Sequence, residues 1–152
     1  MKKILVILLI SFTSLSYASQ NRFETWDFAQ DKKKECRGGN MMEMNMCLAQ
    51  AYAESDARLN LVYRHLIDAL ADPVPLRQAQ RAWIKFRDLQ CEFEVPPSWT
   101  GSGVPYSRNS CLIDHTERRI RDLERVRPCN GCVEFKPEYY EYGNQYKLPP
   151  RR

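Results

Sequence analysis

Leu48, Tyr52, Leu59, Val62, Leu66 and Leu70 fall at three- and four-residue steps, with Ala51 and Tyr63 widening the stripe. The opposite face is polar, with Glu54 and Arg58 four apart and Arg64 and Asp68 four apart. That pattern predicts an amphipathic helix over 41–71. Gly38-Gly39-Asn40 breaks the chain before it, and Asp72-Pro73-Val74-Pro75 stops it and opens the next helix, because proline is tolerated in a first turn. Leu76, Ala79, Trp83, Phe86 and Gln90 mark that second helix, over 75–94, with Trp83 and Phe86 expected in the core. Pro96-Pro97 closes it, and residues 95–108 read as a loop rich in Pro, Ser and Gly. Leu112, Thr116, Ile120 and Leu123 predict a third helix over 109–126, ended by Pro128. No segment alternates with period two, so strands are not expected.

The flanks differ. Residues 19–40 are polar, with Phe23, Trp26, Phe28 and the basic run Lys32 to Lys34, and read as an N-terminal arm with room for one short helix. Residues 127–152 carry Tyr139, Tyr140, Tyr142 and Tyr146 among Glu, Lys, Gly and Pro, with no apolar period. They form an irregular tail, read either as chain lying on the bundle or as a tyrosine strip for a partner. The fold class is all-α: a small disulfide-bonded three-helix bundle over 41–126. Short connectors make the first two helices antiparallel neighbours, and the third returns beside the second.

Met1-Lys2-Lys3, the apolar run Ile4 to Ile10 and the small residues of Ser16-Tyr17-Ala18 have the layout of a cleaved export signal over 1–18. The mature chain is expected in a bacterial periplasm, without membrane insertion. Of the formal charge of +4, Lys2 and Lys3 account for two, leaving +2. So weak and mixed a balance gives no electrostatic basis for a nucleic-acid partner.

An oxidising compartment makes the six cysteines an even disulfide set. In a helical hairpin the end of the second helix lies near the start of the third, which favours Cys91–Cys111. Cys36–Cys47 pins the arm to the first helix, and Cys129–Cys132 closes locally. Cys47–Cys91 is a competing pair at the open end of the hairpin.

Catalytic readings find little support. Cys129-Asn130-Gly131-Cys132 has redox-motif spacing, the basis of a thiol-oxidoreductase alternative, but it follows a helix and Pro128 where such a motif opens a helix after a strand. Cys129 and Cys132 would need two more ligands for zinc, and only His65 and His115 are available. No nucleophile motif accompanies either histidine, and Gly38-Gly39 lacks the lysine of a phosphate loop. The chain reads as a non-enzyme without cofactor or metal. Polar residues on or beside the apolar stripes stand out instead: Asn45, Asp56, Asn60, Gln80, Arg87, Asp88, Thr116 and Arg119. They make either an interhelical network that fixes register or a polar groove for a partner. The 95–108 loop, with Trp99, Tyr106 and Arg108, is the first candidate contact surface, and Tyr139, Tyr140 and Tyr142 are the second. Against this, Trp99 could fold back and cap the open end of the bundle.

Met44-Asn45-x-Cys47, Tyr52, Asp56, Leu59-Asn60 and Tyr63 resemble the opening of the LprI-like lysozyme-inhibitor family. The resemblance continues through Leu76, Ala79-Gln80, Ala82-Trp83, Phe86-Arg87-Asp88 and Cys91, and ends with Cys111, Thr116, Arg119 and Leu123. It covers residues 36–126 and implies a secreted, disulfide-bonded helical domain without known catalysis. In size and export signal the chain is also similar to UmoD-type periplasmic proteins. That similarity implies a regulator docking on the periplasmic part of an inner-membrane signalling protein and raising flagellar gene expression. A lysozyme inhibitor using the 95–108 loop as a plug is the other binding reading. Animal lysozymes are strongly basic, so a slightly basic chain gains nothing from long-range steering toward them.

Overall fold

The computed structural model describes residues 24–128, 133–141 and 145–146. The expected export signal, Cys129, Cys132 and Tyr142 lie outside the described residues. Four helices make the body: α1 Glu24–Glu35, α2 Met41–Ala69, α3 Val74–Glu94 and α4 Val104–Glu124. The arm supplies α1. A 3-10 turn, Pro137–Tyr139, precedes a two-residue antiparallel ribbon of β1 Tyr140–Glu141 and β2 Gln145–Tyr146.

The helix ends follow from local chemistry. Asn40 caps α2: its side chain accepts from the Glu43 N–H at 3.1 Å, while the Glu43 carboxylate accepts from the Asn40 N–H at 3.1 Å. Gly39 makes that turn possible, with φ +105°, and a Cβ there would sit 2.2 Å from the Glu43 carboxylate. Asp72 accepts from the Val74 N–H at 2.9 Å to open α3, and Pro75 fits its first turn. Pro105 likewise falls in the first turn of α4, so that helix begins five residues before the periodicity suggests.

The expected order of packing is corrected. The C-terminal helix α4 lies along α2 and also along α3, and α1 covers α4 and α2. The reason is the identity of the inward faces. α2 turns Leu48, Ala51, Ser55, Leu59, Leu66 and Ala69 inward, with small residues at its middle that admit a close neighbour. α4 buries Ile113, Thr116, Glu117, Ile120 and Leu123 against it. α3 buries only Gln80, Arg87 and Cys91, so it is held largely by polar bonds and a disulfide.

Two main apolar clusters result, and a smaller third forms around Cys91, Cys111 and Leu112. One holds Leu59, Leu66, Leu70, Ile120, Leu123 and Phe135, with Trp83 packed at its edge. The other, near the start of α2, holds Cys36, Leu48, Ala51 and Ile113. Between them runs a polar layer of Ser55, Arg87, Thr116 and Glu117. Phe86 is a second correction: it is 53 % exposed, because α3 turns the 80-87-91 face inward and carries 79-86-93 outside. Phe135 is a third. The tail crosses the end of α2, with Ala71 N–H donating to Glu134 O at 3.0 Å and Lys136 N–H to Ala69 O at 2.8 Å, and drives Phe135 into the core.

Candidate partner-binding site

The end of the bundle where α2 starts and the α3–α4 loop turns is clamped from two sides. Cys36–Cys47 ties α1 to α2 with Cα atoms 5.5 Å apart, and Cys91–Cys111 ties α3 to α4 at 5.7 Å. Bridges of this kind stabilise small secreted domains by about 2–5 kcal/mol each, and they fit a chain working outside the reducing cytoplasm. Among the described residues no helix is long and apolar enough to cross a membrane.

On this clamped end sits the loop. Trp99 N–H donates to Pro96 O at 2.9 Å, and Gly101 turns the chain at φ +125°. Asn45 of α2 donates its amide to Ser102 O at 2.8 Å, and the Met41 methyl lies against Gly103. The loop is thereby fixed to α2. Trp99 is 55 % exposed and not folded back. It borders a shallow depression of about 470 Å³ with Ser98, Thr100, Gly103, Val104 and Ser107. Met42 (68 % exposed) and Met46 stand out from the adjoining first turns of α2, with Met41 beside them. Exposed methionines and a tryptophan on a rigid support are the side chains that adapt to, and anchor, a protein partner. Arg108 is exposed one turn into α4.

Tyr106 belongs elsewhere. Because α4 starts at Val104, its ring turns inward onto Cys36, Leu48, Ala51 and Ile113. In the tail, Tyr139 is half-buried on the cluster that holds Leu66 and Phe135, and the Tyr140 hydroxyl accepts from the Phe135 N–H at 3.3 Å. These two tyrosines fasten the tail.

The remaining sequence candidates come together between the helices. Arg87 is buried and reaches Asp88 at 3.0 Å, Asp56 at 3.3 Å and the Thr116 hydroxyl at 3.5 Å. Asn60 donates to Asp56 at 3.0 Å, and Arg119 donates to Gln80 at 3.0 Å. The Arg87 and Arg119 guanidinium groups both lie over the Trp83 ring, 5.2 and 5.7 Å from its centre, and Arg87 lies over the Tyr52 ring as well. Burial holds the Tyr52 hydroxyl above its ordinary pKa and pulls Arg119 below its own. Among the described residues each of Asp56, Asn60, Gln80, Arg87, Asp88, Thr116 and Arg119 thus has a side-chain partner within the set, the pattern of a layer that fixes helix register.

Sequence reasoning missed two features. Arg58 does not pair with Glu54 on the polar face. It reaches across to Glu117 of α4 at 3.0 Å, and its guanidinium stacks on Phe28 of α1, 4.6 Å from the ring centre. Glu117 is 1 % exposed, and burial pushes its carboxyl up against the opposing pull of the Ser55 hydroxyl and Arg58. The methionine cluster was the other omission. Met41-Met42-x-Met44-x-Met46 directly after a Gly-Gly break is a readable signal for exposed apolar side chains at a helix start. His115 lies within 4.8 Å of both Cys91 and Cys111 sulfurs, a ligand-like grouping, but those sulfurs are bonded to each other.

The family description Lysozyme inhibitor LprI matches residues 32–123. An uncharacterized protein of Rhizobium meliloti (strain 1021) is 32 % identical over 114 residues, covering 64 % of this chain and 82 % of that protein. The uncharacterized protein YecT of Escherichia coli (strain K12) is 32 % identical over 99 residues, covering 53 % of this chain and 60 % of YecT. No solved structure matches.

Proposed function

The chain belongs to the lysozyme inhibitor LprI family, and from that premise we infer that it acts by binding, without turnover, and that it inhibits a lysozyme through the Trp99 end of the bundle. The export signal over 1–18 delivers it to the periplasm, where a cell-wall hydrolase arriving from outside is met. The observation that carries the reading is the exposed Trp99, on a loop fixed by Asn45 and held by Cys91–Cys111, with Met42 and Met46 exposed on the adjoining first turns of α2. A support that is already ordered loses little freedom on binding, so contact area converts to affinity efficiently. Lysozymes work with a pair of carboxyl groups in an open cleft. Trp99 is the side chain set to enter such a cleft, and Arg108 offers a cation to the carboxylate side. With a net charge of +2 on the mature chain, binding to a basic enzyme depends on short-range contact and varies little with salt. The lysozyme reading is preferred to the signalling regulator because the family description bears on the first alone.

The test is lysis of a cell-wall suspension by lysozyme with rising amounts of the mature protein. Wild type slows lysis. The double variant Met42→Ser with Trp99→Ser, melting like wild type, needs at least about tenfold more protein for the same effect, the loss expected when central anchors are truncated. Full potency from the folded double variant, or no inhibition by wild type, overturns the proposal.

A further inference from the structure

α3 carries an apolar seam on the side it turns away from the core. Pro75, Ala79, Ala82, Phe86, Leu89 and Phe93 are all exposed and are spaced by four, three, four, three and four residues. That alternation is the heptad spacing by which one helix packs along another. At about 100° per residue the six positions fall in one narrow strip. The residues that attach α3 to the bundle are Gln80, Trp83, Arg87 and Cys91; of the seam, Phe86 meets His115 edge-on at 5.8 Å between ring centres, and Pro75 and Ala79 border a cavity with Leu66, Leu70 and Val126. From Ala82 to Phe93 the seam nevertheless stays open to solvent, with Phe86, Leu89 and Phe93 each more than half exposed, and has the spacing to take a second helix.

The sequence along its solvent flank says which helix. The flanking positions are Gln78, Lys85 and Glu92, all exposed. When two copies of α3 run antiparallel with Phe86 of each against Leu89 of the other, Ala82 of each falls against Phe93 of the other. A large ring then meets a small side chain at both ends. The same register sets Lys85 of each copy opposite Glu92 of the other, so two ion pairs form by symmetry. In a parallel arrangement Lys85 of each copy falls across from Gln90 of the other instead, and neither ion pair forms. Seam and charges agree on one self-complementary arrangement, as a two-fold interface requires.

We propose that the protein self-associates into a two-fold dimer through the outer face of α3, antiparallel and centred between Phe86 and Leu89. The contact runs from Ala82 to Phe93, about 17 Å of helix. That is at the small end for a specific interface and sets a weak dimer, with a dissociation constant on the order of 10–100 μM. The antiparallel arrangement leaves the Trp99 ends of the two copies pointing away from each other, so a dimer presents two tips. The inference does not depend on what the tip binds.

Sedimentation equilibrium of the mature protein from 5 μM to 500 μM tests it. Wild type shifts from monomer to dimer across that range. Leu89→Asp, at an exposed position, keeps the wild-type melting temperature and remains monomeric at 500 μM. Lys85→Glu and Glu92→Lys, each of which brings two like-charge pairs together, weaken association at least about tenfold. The double variant Lys85→Glu with Glu92→Lys restores it. Wild type that stays monomeric throughout overturns the proposal. So does a dimer indifferent to Leu89→Asp, which uses another face, and so does failure of the double variant to recover, which denies the antiparallel register.

Discussion

Replacing Arg58 by Ala removes the cation facing a carboxylate that is 1 % exposed. Breaking a buried pair from one side typically costs about 3–5 kcal/mol, because the remaining charge is left without compensation. The Arg58 side chain is itself 32 % exposed, so water already screens the pair and the low end, about 3 kcal/mol, applies at neutral pH. Some of this, about 0.5–1 kcal/mol, is the lost stacking on Phe28 and is independent of pH. The rest depends on Glu117 being charged. Its folded carboxyl already titrates above the ordinary carboxylate value because of burial, and losing Arg58 raises it further. A carboxyl whose folded pKa lies above its unfolded one favours the folded state when protonated. Its penalty is absent at low pH and grows as pH rises through the carboxyl range, at about 1.4 kcal/mol per unit of pKa difference. Urea unfolding of wild type, Arg58→Ala, Glu117→Gln and the double variant at pH 7 and pH 4 measures this. The Arg58→Ala loss shrinks at pH 4 and falls to about 1 kcal/mol in the Glu117→Gln background at either pH. A loss of equal size at both pH values and in both backgrounds refutes the buried-charge account.

Two further outcomes follow from the packing. Phe135→Ala, at a position the sequence places in a polar tail, lowers stability by about 3–5 kcal/mol in the same unfolding assay, as for other buried rings. Gly39→Ala lowers it by about 2 kcal/mol, since the positive φ and the contact with Glu43 both oppose a Cβ, and amide exchange in the first turn of α2 speeds up as the capping box opens.

How far the fold is legible in the sequence depends on what each residue contributes. α2 is readable because apolar spacing, a capping box and a Gly-Gly break agree. α3 is readable as a helix but not in its orientation. Its most apolar strip, Phe86 included, faces outward, while Gln80 and Arg87 face in, so a rule that sends apolar faces inward rotates the helix the wrong way. The central place of α4 follows from Ala51 and Ser55 opposite Thr116 and Glu117, a complementarity that one-dimensional spacing does not carry. Phe135 has no periodic neighbours to announce its burial. At the candidate site, Trp99 is legible as a loop residue, whereas Arg108, read as the last loop residue, lies one turn into α4. Tyr106 is misplaced because Pro105 starts α4 early and turns its ring to the core.

The central claim is that the Trp99 end of the bundle is the surface that meets a lysozyme. Amide hydrogen exchange of the mature protein, alone and with a molar excess of lysozyme, addresses it most directly. Slowed exchange is expected over the first turns of α2 and residues 98–104, with the tail around Tyr140 unchanged. Protection confined to α3 around Leu89, or no protection anywhere, contradicts the claim.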